Sequence, residues 1–364
     1  MKIPGSEKTF DRKQFLKNAG GALLSGGLLA SALPFQAEAQ PKQVAKKDNF
    51  LSLAGLPTVK RVAADPRNIP APIGQREPKT HYITIESKEV IAEIEDGVKF
   101  KYMTFGGQIP GPMIRVRQGD TINLTFKNAS SNTTIHNIDQ HAVYGSGGGA
   151  GALLCPPGQS RTIKYKTLYP GAFIYHCAVP NMDKHISSGM FGMIVVEPPQ
   201  GLPKVDHEFY FGQHEVYTDK KAGEEGMHHF DVDAMTAENP TYVLLNGEKH
   251  AITDDKYGNL KVKKGETARI FMVTGGPNLT SSFHAIGNVF TKAWRAGALA
   301  NEPDQYVQTC QVPPGSTGVF ELEFPVPETI KLVDHSLSRV VRQGMLGKIE
   351  VEGSPEPDIF SAKG

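Results

Sequence analysis

The densest group of reactive side chains lies near the middle of the chain, where Cys177 is followed by His185 and then by Met190 in the spacing Cys-x7-His-x4-Met. A thiolate, an imidazole and a thioether favour copper over oxygen-preferring cations, and a second imidazole would complete a blue-copper ligand set. Core packing is the ordinary reason for a Cys or Met in a β-protein, but this spacing in a loop indicates a metal site. Met182 and Met193 compete for the axial position, and the short step from His185 favours Met190.

The second imidazole is expected from an earlier segment that holds two histidines and an aspartate. In an extended chain Asp139 and His141 share a face, whereas His136 is displaced enough to serve a different site. His176 and Cys177 are adjacent, so their side chains point to opposite faces of a strand. We therefore predict two metal centres joined by one peptide bond, the first including His136 and the second including His141 and His176.

A third ligand for the second centre is expected from the second half of the chain, where His335 occupies the position equivalent to His176. Three imidazoles with an open fourth position are typical of a catalytic metal site, because water or substrate can take the open position. Asp139 and His284 are the remaining acid–base candidates. A hydrogen bond within its loop would also explain Asp139, and a core position would also explain His284.

These residues must be positioned by β-strands. The hydrophobic pattern alternates over short segments, Asp96-Gly97 is a hairpin signal, and no amphipathic helix of convincing length occurs before Pro198. The strands predicted in the first half are residues 81–85, 90–94, 98–102, 113–116, 121–126, 162–165, 173–175 and 193–196. Short strands with frequent turns are typical of a β-sandwich or barrel.

The second half of the chain repeats the plan of the first half. The matching pairs are Arg115-Val-Arg-Gln-Gly with Lys261-Val-Lys-Lys-Gly, Pro156-Pro-Gly with Pro313-Pro-Gly, and Gly189-Met-Phe-Gly with Gly344-Met-Leu-Gly. We therefore predict an all-β chain of two tandem β-sandwich domains. The predicted parts are an extended arm at residues 40–79, a first domain with the first metal centre at 80–199, a second domain at 203–353 and a tail at 354–364.

Residues 1–39 have the features of an export signal. Basic residues precede a soft apolar run, and Ala37-Glu-Ala matches a cleavage site. Arg12-Lys13 resembles a twin-arginine motif with Lys in place of the second Arg, so the choice between the Tat and Sec translocons stays open. The run is too short and weakly apolar for a transmembrane helix. We expect a periplasmic protein with no transmembrane span in the mature chain.

Composition excludes some classes of protein. The 364 residues carry a formal net charge of +1, and removing five basic and three acidic residues with the signal makes it −1, which argues against a nucleic-acid binder. Three cysteines cannot build a disulfide framework. Cys155 and Cys310 are predicted to be buried thiols or a disulfide. Six histidines are predicted to lie on the exposed surface, namely His81, His207, His214, His228, His229 and His250.

The residues around both predicted centres resemble the copper-containing nitrite reductases that form nitric oxide. The resemblance extends from Leu53 to Gly353. The similar motifs are Phe105-Gly-Gly-Gln-Ile-Pro-Gly-Pro, His136-Asn-Ile-Asp-x-His, Tyr175-His-Cys-Ala, Gly201-Leu-Pro-Lys-Val-Asp, Gly276-Pro-Asn-Leu-x-Ser-Ser-Phe-His and Leu332-Val-Asp-His-Ser. The short loop between Cys177 and His185 is similar to the Neisseria-type branch of the family.

The resemblance implies two Greek-key cupredoxin-type domains with one type 1 and one type 2 copper in each chain. It implies Asp139 and His284 as the proton-relay pair and Ile286 as the apolar residue that shapes the substrate pocket. The implied ligands are His136, Cys177, His185 and Met190 for the type 1 copper, and His141, His176 and His335 for the type 2 copper.

The resemblance also implies an activity and partners. The activity is one-electron reduction of nitrite to nitric oxide, with electrons from a periplasmic cupredoxin or c-type cytochrome. The family forms homotrimers with the type 2 copper between subunits, so His335 would be donated by a neighbouring chain. Gln140 departs from the family, which usually has an aromatic residue there. We expect the Gln140 side chain to face away from the copper and to change packing or subunit contact.

Two alternatives remain to be weighed against this interpretation. A two-domain multicopper oxidase needs a trinuclear cluster of about eight histidines in His-x-His pairs, and the chain contains no His-x-His. A non-catalytic copper carrier or electron-transfer protein would need only the type 1 ligands. The presence of His141, His335, Asp139 and His284 argues against the carrier.

Overall fold

The computed structural model describes residue 53, residues 55–253 and residues 260–362. The predicted export signal and the first part of the predicted arm, residues 40–52, lie outside the described residues. Within the described ranges, the chain is built almost entirely of β-strands joined by turns. No helix in these ranges is long and apolar enough to cross a membrane.

The first half of the described chain contains eight strands and one short helix. The helix α1 (Met182–Ser187) lies between the last two strands. The strands are β1 (Thr80–Glu95), β2 (Val98–Phe105), β3 (Ile114–Arg117), β4 (Thr121–Asn128), β5 (Asp139–Gln140), β6 (Ser160–Lys166), β7 (Gly171–His176) and β8 (Phe191–Glu197).

The second half of the described chain contains twelve strands, the helix α2 (Val232–Thr236) and one 3₁₀ turn, η1 (Leu337–Arg339). The strands are β9 (His207–Val216), β10 (Gly226–His228), β11 (Tyr242–Leu245), β12 (Leu260–Lys263), β13 (Thr267–Gly276), β14 (Ser281–Ile286), β15 (Phe290–Arg295), β16 (Asp304–Val307), β17 (Thr309–Val312), β18 (Ser316–Glu323), β19 (Glu328–Asp334) and β20 (Leu346–Glu352).

The strands form two sandwiches. In the first, the sheet β10-β2-β1-β4-β6 faces the sheet β3-β8-β7-β5; in the second, β11-β9-β13-β18-β15-β16 faces β12-β20-β19-β14-β17. Strand β10 comes from the second half of the chain but pairs with β2 at the edge of a first-half sheet. The predicted all-β fold of two tandem β-sandwiches is confirmed.

Three clusters of buried apolar side chains explain the strand patterns. One fills the first sandwich, around Phe126, and another fills the second sandwich, around Phe320. The third cluster joins residues from both halves, including Phe100 and Phe271, so the two sandwiches share a buried face. Strand β8 lies between two of these clusters and all seven of its residues are buried, as expected for a strand covered on both sides.

Turn glycines support the predicted duplication. Gly119 and Gly265 both have φ of 89°, and Gly189 and Gly344 have φ of 113° and 108°. These are conformations that side chains with a Cβ rarely adopt. The matching motifs of the two halves therefore form matching turns.

Two predicted strands turn out to be one. Residues 81–85 and 90–94 both belong to β1, whose first half pairs in parallel with β4 and whose second half pairs antiparallel with β2. The predicted hairpin at Asp96-Gly97 joins β1 to β2, and Gly97 has a φ of 77°. The division was wrong because β1 changes partner along its length, which the alternation of side chains does not reveal.

The described part of the arm is held by the body of the protein. Thr58 and Ala63 form isolated bridges with Ile91 and Ile109. The buried Glu248 carboxylate accepts hydrogen bonds from the backbone N–H groups of Val62 and Ala63, at 2.8 and 3.0 Å. The arm thereby contacts strand β1 and the β2–β3 connection of the first half, and a loop of the second half.

Candidate metal centres

Three side chains from separate segments converge inside the first sandwich. Cys177 follows β7, His185 lies on α1, and His136 lies between β4 and β5. The Cys177 Sγ atom is 3.5 Å from His185 Nδ1 and 3.8 Å from His136 Nδ1. Atoms that share one metal at about 2.0 to 2.3 Å lie at about these separations.

Met190 completes this group of soft donors. It is fully buried in the same apolar cluster as Cys177. Its backbone is tied to the other ligands, since the Cys177 N–H donates to the Met190 carbonyl and the Met190 N–H donates to the His185 carbonyl. The competing candidates differ: Met182 is 46% exposed, and Met193 lies in the cluster shared by the two sandwiches.

The protonation behaviour of the cluster fits a metal. Burial raises the pKa of the Cys177 thiol to about 11, so this thiol needs a bound cation to become the thiolate ligand at neutral pH. Burial, and next the nearby His136, lower the pKa of His185 to about 3. His185 is therefore a neutral imidazole with a free lone pair, as metal ligation requires.

A buried carboxylate that the sequence analysis missed lies behind His136. Glu89 on β1 has no exposed surface, and its Oε1 atom is 3.1 Å from His136 Nε2. Burial by itself would raise the pKa of Glu89, but the hydrogen bond from His136 and the charge of Lys101 hold it well below its usual range. The signal was faint: Glu89 continues the inward-facing positions of Ile85 and Ser87 on β1.

A second group of ligand atoms forms at the other side of the β7 terminus. Asp139, His141 and His176 bring one ligand atom each within 4.8 Å of one another. The Nε2 atoms of His141 and His176 are 3.1 Å apart, and the Asp139 Oδ2 atom is 3.9 Å from His176 Nε2. Burial, and next the nearby His176, lower the pKa of His141 and so favour its neutral, ligating form.

Strand pairing explains this geometry. Asp139 on β5 pairs directly with His176 on β7, and the His141 N–H donates to the Ile174 carbonyl one step further along. Cys177 and His176 are consecutive and serve the two different clusters, as the alternation of side chains predicted.

His335 and His284 lie together in the second sandwich, with ring centroids 5.3 Å apart. His284 is on β14 and its Nδ1 atom is 2.5 Å from the Gln308 carbonyl oxygen. Both histidines and the nearby Ile286 reach the protein surface, and Ile286 is 37% exposed. Among the described residues of one chain, His335 does not join the ligand-atom group of His141 and His176.

A second missed residue, Asp334, holds the His335 segment. Its buried carboxylate accepts hydrogen bonds from the N–H groups of Ser282 and Ser336, both at 3.0 Å, and from the Arg339 guanidinium at 2.7 Å. The His335 N–H donates to the Ser282 carbonyl at 2.8 Å. These contacts fix the His335 segment against β14, which carries His284.

Gly148 is a third missed residue. It lies in the glycine-rich loop after His141 with a φ of 62°, and a Cβ atom placed there would be 1.8 Å from Asp139 Oδ1. Its carbonyl accepts the hydrogen bond of the Gln140 N–H at 3.0 Å. The loop can lie against the Asp139 carboxylate only because this position has no side chain.

Gln140 lies between Asp139 and His141 in an extended segment, so its side chain is on the opposite face from theirs. It is fully buried in the first sandwich, and its Oε1 atom accepts a 2.6 Å hydrogen bond from the Tyr165 hydroxyl. Its Nε2 atom has no hydrogen-bond partner. Within one chain, having Gln140 in place of the family's usual aromatic residue therefore affects the packing of the core.

The prediction of exposure for the six remaining histidines is wrong. His81, His207, His229 and His250 are half-buried, and His214 and His228 are buried, with 0% and 1% of their surface exposed. His214 Nδ1 donates to the Ser187 carbonyl at 2.9 Å, and His228 lies within hydrogen-bond distance of Thr218 and Glu224. The prediction failed because both lie on strands that other elements cover. Cys155 and Cys310 are both buried free thiols, so the disulfide alternative is wrong.

The chain is similar to known copper proteins in sequence. A family described as "Multicopper oxidase" matches residues 86–201. A copper-containing nitrite reductase of Neisseria meningitidis serogroup B is 44% identical over 309 residues, which cover 85% of this chain and 78% of that protein. One of Cereibacter sphaeroides is 32% identical over 364 residues, which cover 93% of this chain and 96% of that protein.

The chain is also similar to solved structures of copper proteins. A copper nitrite reductase from Nitrosomonas europaea has a TM-score of 0.67 and 27% identity, with 78% of this chain and 98% of that chain covered. A structure described as a multicopper oxidase has a TM-score of 0.63 and 28% identity, with 75% of this chain and 89% of that chain covered. The two sequence relatives distinguish between these classes, because both are nitrite reductases and each match covers more than three quarters of both chains. This chain belongs to the family of copper-containing nitrite reductases.

Proposed function

We propose that this protein reduces nitrite to nitric oxide and water, a reaction that consumes one electron and two protons. The observation that carries the proposal is the pair of ligand groups at the end of β7, where Cys177 belongs to one group and His176 to the other. The peptide bond between these residues is a covalent path between an electron-accepting site and a site for substrate.

The first site is the type 1 centre. His136, Cys177, His185 and Met190 would hold a copper ion there, and the thiolate and thioether donors suit copper in both oxidation states. The site is buried, so an external donor, a periplasmic cupredoxin or c-type cytochrome, delivers the electron across the protein surface.

The second site is the type 2 centre, held by His141 and His176 of one chain and His335 of its neighbour. His141 and His335 are both exposed in the single chain. A head-to-tail contact between the first domain of one chain and the second domain of the next closes a ring, which here is a homotrimer. When bound, the type 2 copper supplies a Lewis acid and a binding position for nitrite.

Protons come from Asp139 and His284. Asp139 lies 3.9 Å from His176, and His284 lies beside His335, so the trimer contact brings both groups to one site. General acid catalysis of this kind contributes about a hundred- to ten-thousand-fold in rate. Ile286, on the same strand as His284, provides an apolar wall for the substrate pocket.

The setting of the reaction is the periplasm. Residues 1–39 would direct export through a Tat-like signal with Arg12-Lys13, leaving the arm at 40–79, domains at 80–199 and 203–353, and the tail at 354–364. The connection between β8 and β9 contains the proposed domain boundary. No nucleic acid is a partner.

The test is nitric oxide release from the purified, copper-loaded protein given nitrite and an artificial one-electron reductant. We expect about two coppers per chain and sustained nitric oxide release. The same preparation treated with a chelator is the control and should release none. About one copper per chain without nitric oxide would contradict the proposal and support the electron carrier.

A further inference from the structure

We propose that the buried Glu89 and the half-buried Lys101 form a charge pair that holds His136 in its ligating orientation and sets the reduction potential of the type 1 site. Glu89 would be a positioning residue, since it contacts the ligand His136 and not the metal. The inference rests on the assignment of His136 to the type 1 copper proposed above.

The contact between Glu89 and His136 selects one form of the imidazole. Glu89 Oε1 is 3.1 Å from His136 Nε2, and His136 Nδ1 faces Cys177 Sγ at 3.8 Å. A carboxylate can only accept a hydrogen bond, so the proton of the neutral ring is on Nε2. The Nδ1 lone pair is then free and points at the thiol, the arrangement needed for a ligand.

Glu89 also orders the segment that leads to His136. Its carboxylate accepts hydrogen bonds from the N–H and hydroxyl groups of Thr133, at 3.0 and 2.6 Å, and of Thr134, at 2.9 and 2.6 Å. The Glu89 N–H donates to Asn132 Oδ1 at 2.7 Å. The ring of His136 is thus held by a segment that itself is bound to Glu89.

Lys101 is the charge partner of Glu89. Its Nζ atom is 2.9 Å from Glu89 Oε2 and donates to the Thr133 hydroxyl at 2.9 Å. Its side chain is 15% exposed and that of Glu89 is fully buried, so water screens the pair weakly. Neither residue was among the predicted site residues.

The two charges affect the type 1 couple in opposite directions. A carboxylate hydrogen-bonded to a ligating histidine increases the basicity of the ring and stabilises the more highly charged metal. Glu89 therefore favours Cu(II) and lowers the potential, whereas Lys101 favours Cu(I) and raises it. The couple itself takes up one electron from the external donor, and no atom is transferred.

The experiment measures the type 1 potential by redox titration of the blue absorption band in the copper-loaded protein. Glu89→Gln keeps the shape and one accepting oxygen but removes the negative charge; Lys101→Met removes the positive charge. We expect Glu89→Gln to shift the balance about tenfold towards Cu(I), about 59 mV upwards, and Lys101→Met to shift it downwards. Glu248→Gln, at a buried carboxylate that binds Arg61, Val62 and Ala63 of the arm, is the matched control and should leave the potential unchanged.

The outcomes separate the possible failures. Shifts of the same sign in Glu89→Gln and Lys101→Met, or a Glu89→Gln potential equal to that of Glu248→Gln, would overturn the inference and leave the proposed function intact. A wild-type protein without a blue band would overturn both. If Glu89→Gln does not fold, Lys101→Met alone decides, because an unchanged or raised potential contradicts the proposed pair.

Discussion

At the scale of single residues, Cys177 is the proposed thiolate donor of the type 1 copper, the donor from which intense visible absorption is expected. No other cysteine of the described residues belongs to a ligand group. We expect Cys177→Ala to abolish the blue band and to reduce copper from about two to about one per chain, because the second ligand group is intact. Cys310→Ala, at a buried free thiol of the second sandwich, is the control and should retain both.

Asp139 is a proposed proton donor at the type 2 site. Asp139→Asn keeps the size of the side chain and removes its acid–base function. We expect kcat to fall about a hundred- to ten-thousand-fold, with the blue band and copper content unchanged. Steady-state nitric oxide production and metal analysis of the same preparation check this, and near-normal turnover would remove Asp139 from the proton relay.

The sequence predicted side chains that the structure brings into two groups of ligand atoms, but not the residues that support them. His136, Cys177 and His185 could be identified from residue type and spacing, since soft donors in a short loop are unusual. Glu89 is 47 residues from His136, and its one local signal is that a carboxylate occupies an inward-facing position of β1. His214 and His228 were misjudged for the same reason, because burial depends on which distant elements cover a strand.

At the scale of elements, the glycine-rich loop positions Asp139. Gly148→Ala would place a Cβ where Asp139 Oδ1 now lies, and the carboxylate would have to move. We expect most nitrite reduction to be lost while the blue band is retained. Gly147→Ala is a matched control, since Gly147 has a similar φ of 58° and nothing within 4 Å of its Cβ position.

The comparison separates two effects of the substitution. Both alanines bear the cost of a left-handed backbone, about 1 kcal/mol of stability, but only Gly148→Ala also meets Asp139 and, at 2.9 Å, the backbone nitrogen of Gln140. Unfolding in urea should therefore show the larger loss of stability in Gly148→Ala, and kcat should fall only in that variant. Equal activity of the two variants would show that the loop does not position Asp139.

Strand β9 gives the apo protein a pH-dependent stability through His214. Burial lowers the pKa of His214 to about 4, below the value of 6.5 for an exposed histidine. Its contribution is thus fully present above about pH 6.5 and is lost as the pH falls towards 4, because only the unfolded chain binds the proton there. The slope is about 1.4 kcal/mol per pH unit for one proton.

The measurement is urea unfolding of copper-free protein between pH 7 and pH 4. In His214→Gln we expect the free energy of unfolding to depend less steeply on pH, by the contribution of one proton. This holds whatever the stability of the variant at pH 7. The wild-type protein, measured in parallel, is the comparison. If His214→Gln keeps the wild-type slope, His214 binds its proton equally well in the folded and the unfolded chain, which would contradict the prediction.

At the scale of the whole molecule, the repeats predicted two sandwiches but not their shared face. The third apolar cluster draws residues from both halves, and beside it Arg115 binds Glu197 and Glu208 while Arg269 binds Glu208 and Glu321. Such contacts link residues about 50 to 90 positions apart, and local periodicity carries no information about them. The sequence therefore defines each domain better than it defines how the domains meet.

The proposed ring makes a prediction about mixed assemblies. His141→Ala and His335→Ala proteins should each be inactive, because every type 2 site then lacks one imidazole. In a trimer containing both variants, a chain with intact His141 can face a neighbour with intact His335, which restores that site. Random mixing of equal amounts should recover about a quarter of wild-type activity per chain. A site is complete only when one chain has an intact His141 and its neighbour an intact His335, and each condition is met about half the time.

A second mixture identifies which residues act across the interface. His141 and His176 are 3.1 Å apart in one chain, so no pairing of His141→Ala with His176→Ala subunits completes a site. Nitric oxide release should appear only when His335→Ala is one of the partners, after co-expression or joint refolding. Activity in neither mixture would place His335 in the site of its own chain, and activity in both would mean that the two clustered histidines come from different subunits. The ring predicts that the mixture with His335→Ala is active and the mixture with His176→Ala is inactive. The reason is that a head-to-tail contact takes two of the three ligands, His141 and His176, from one chain and His335 from the next.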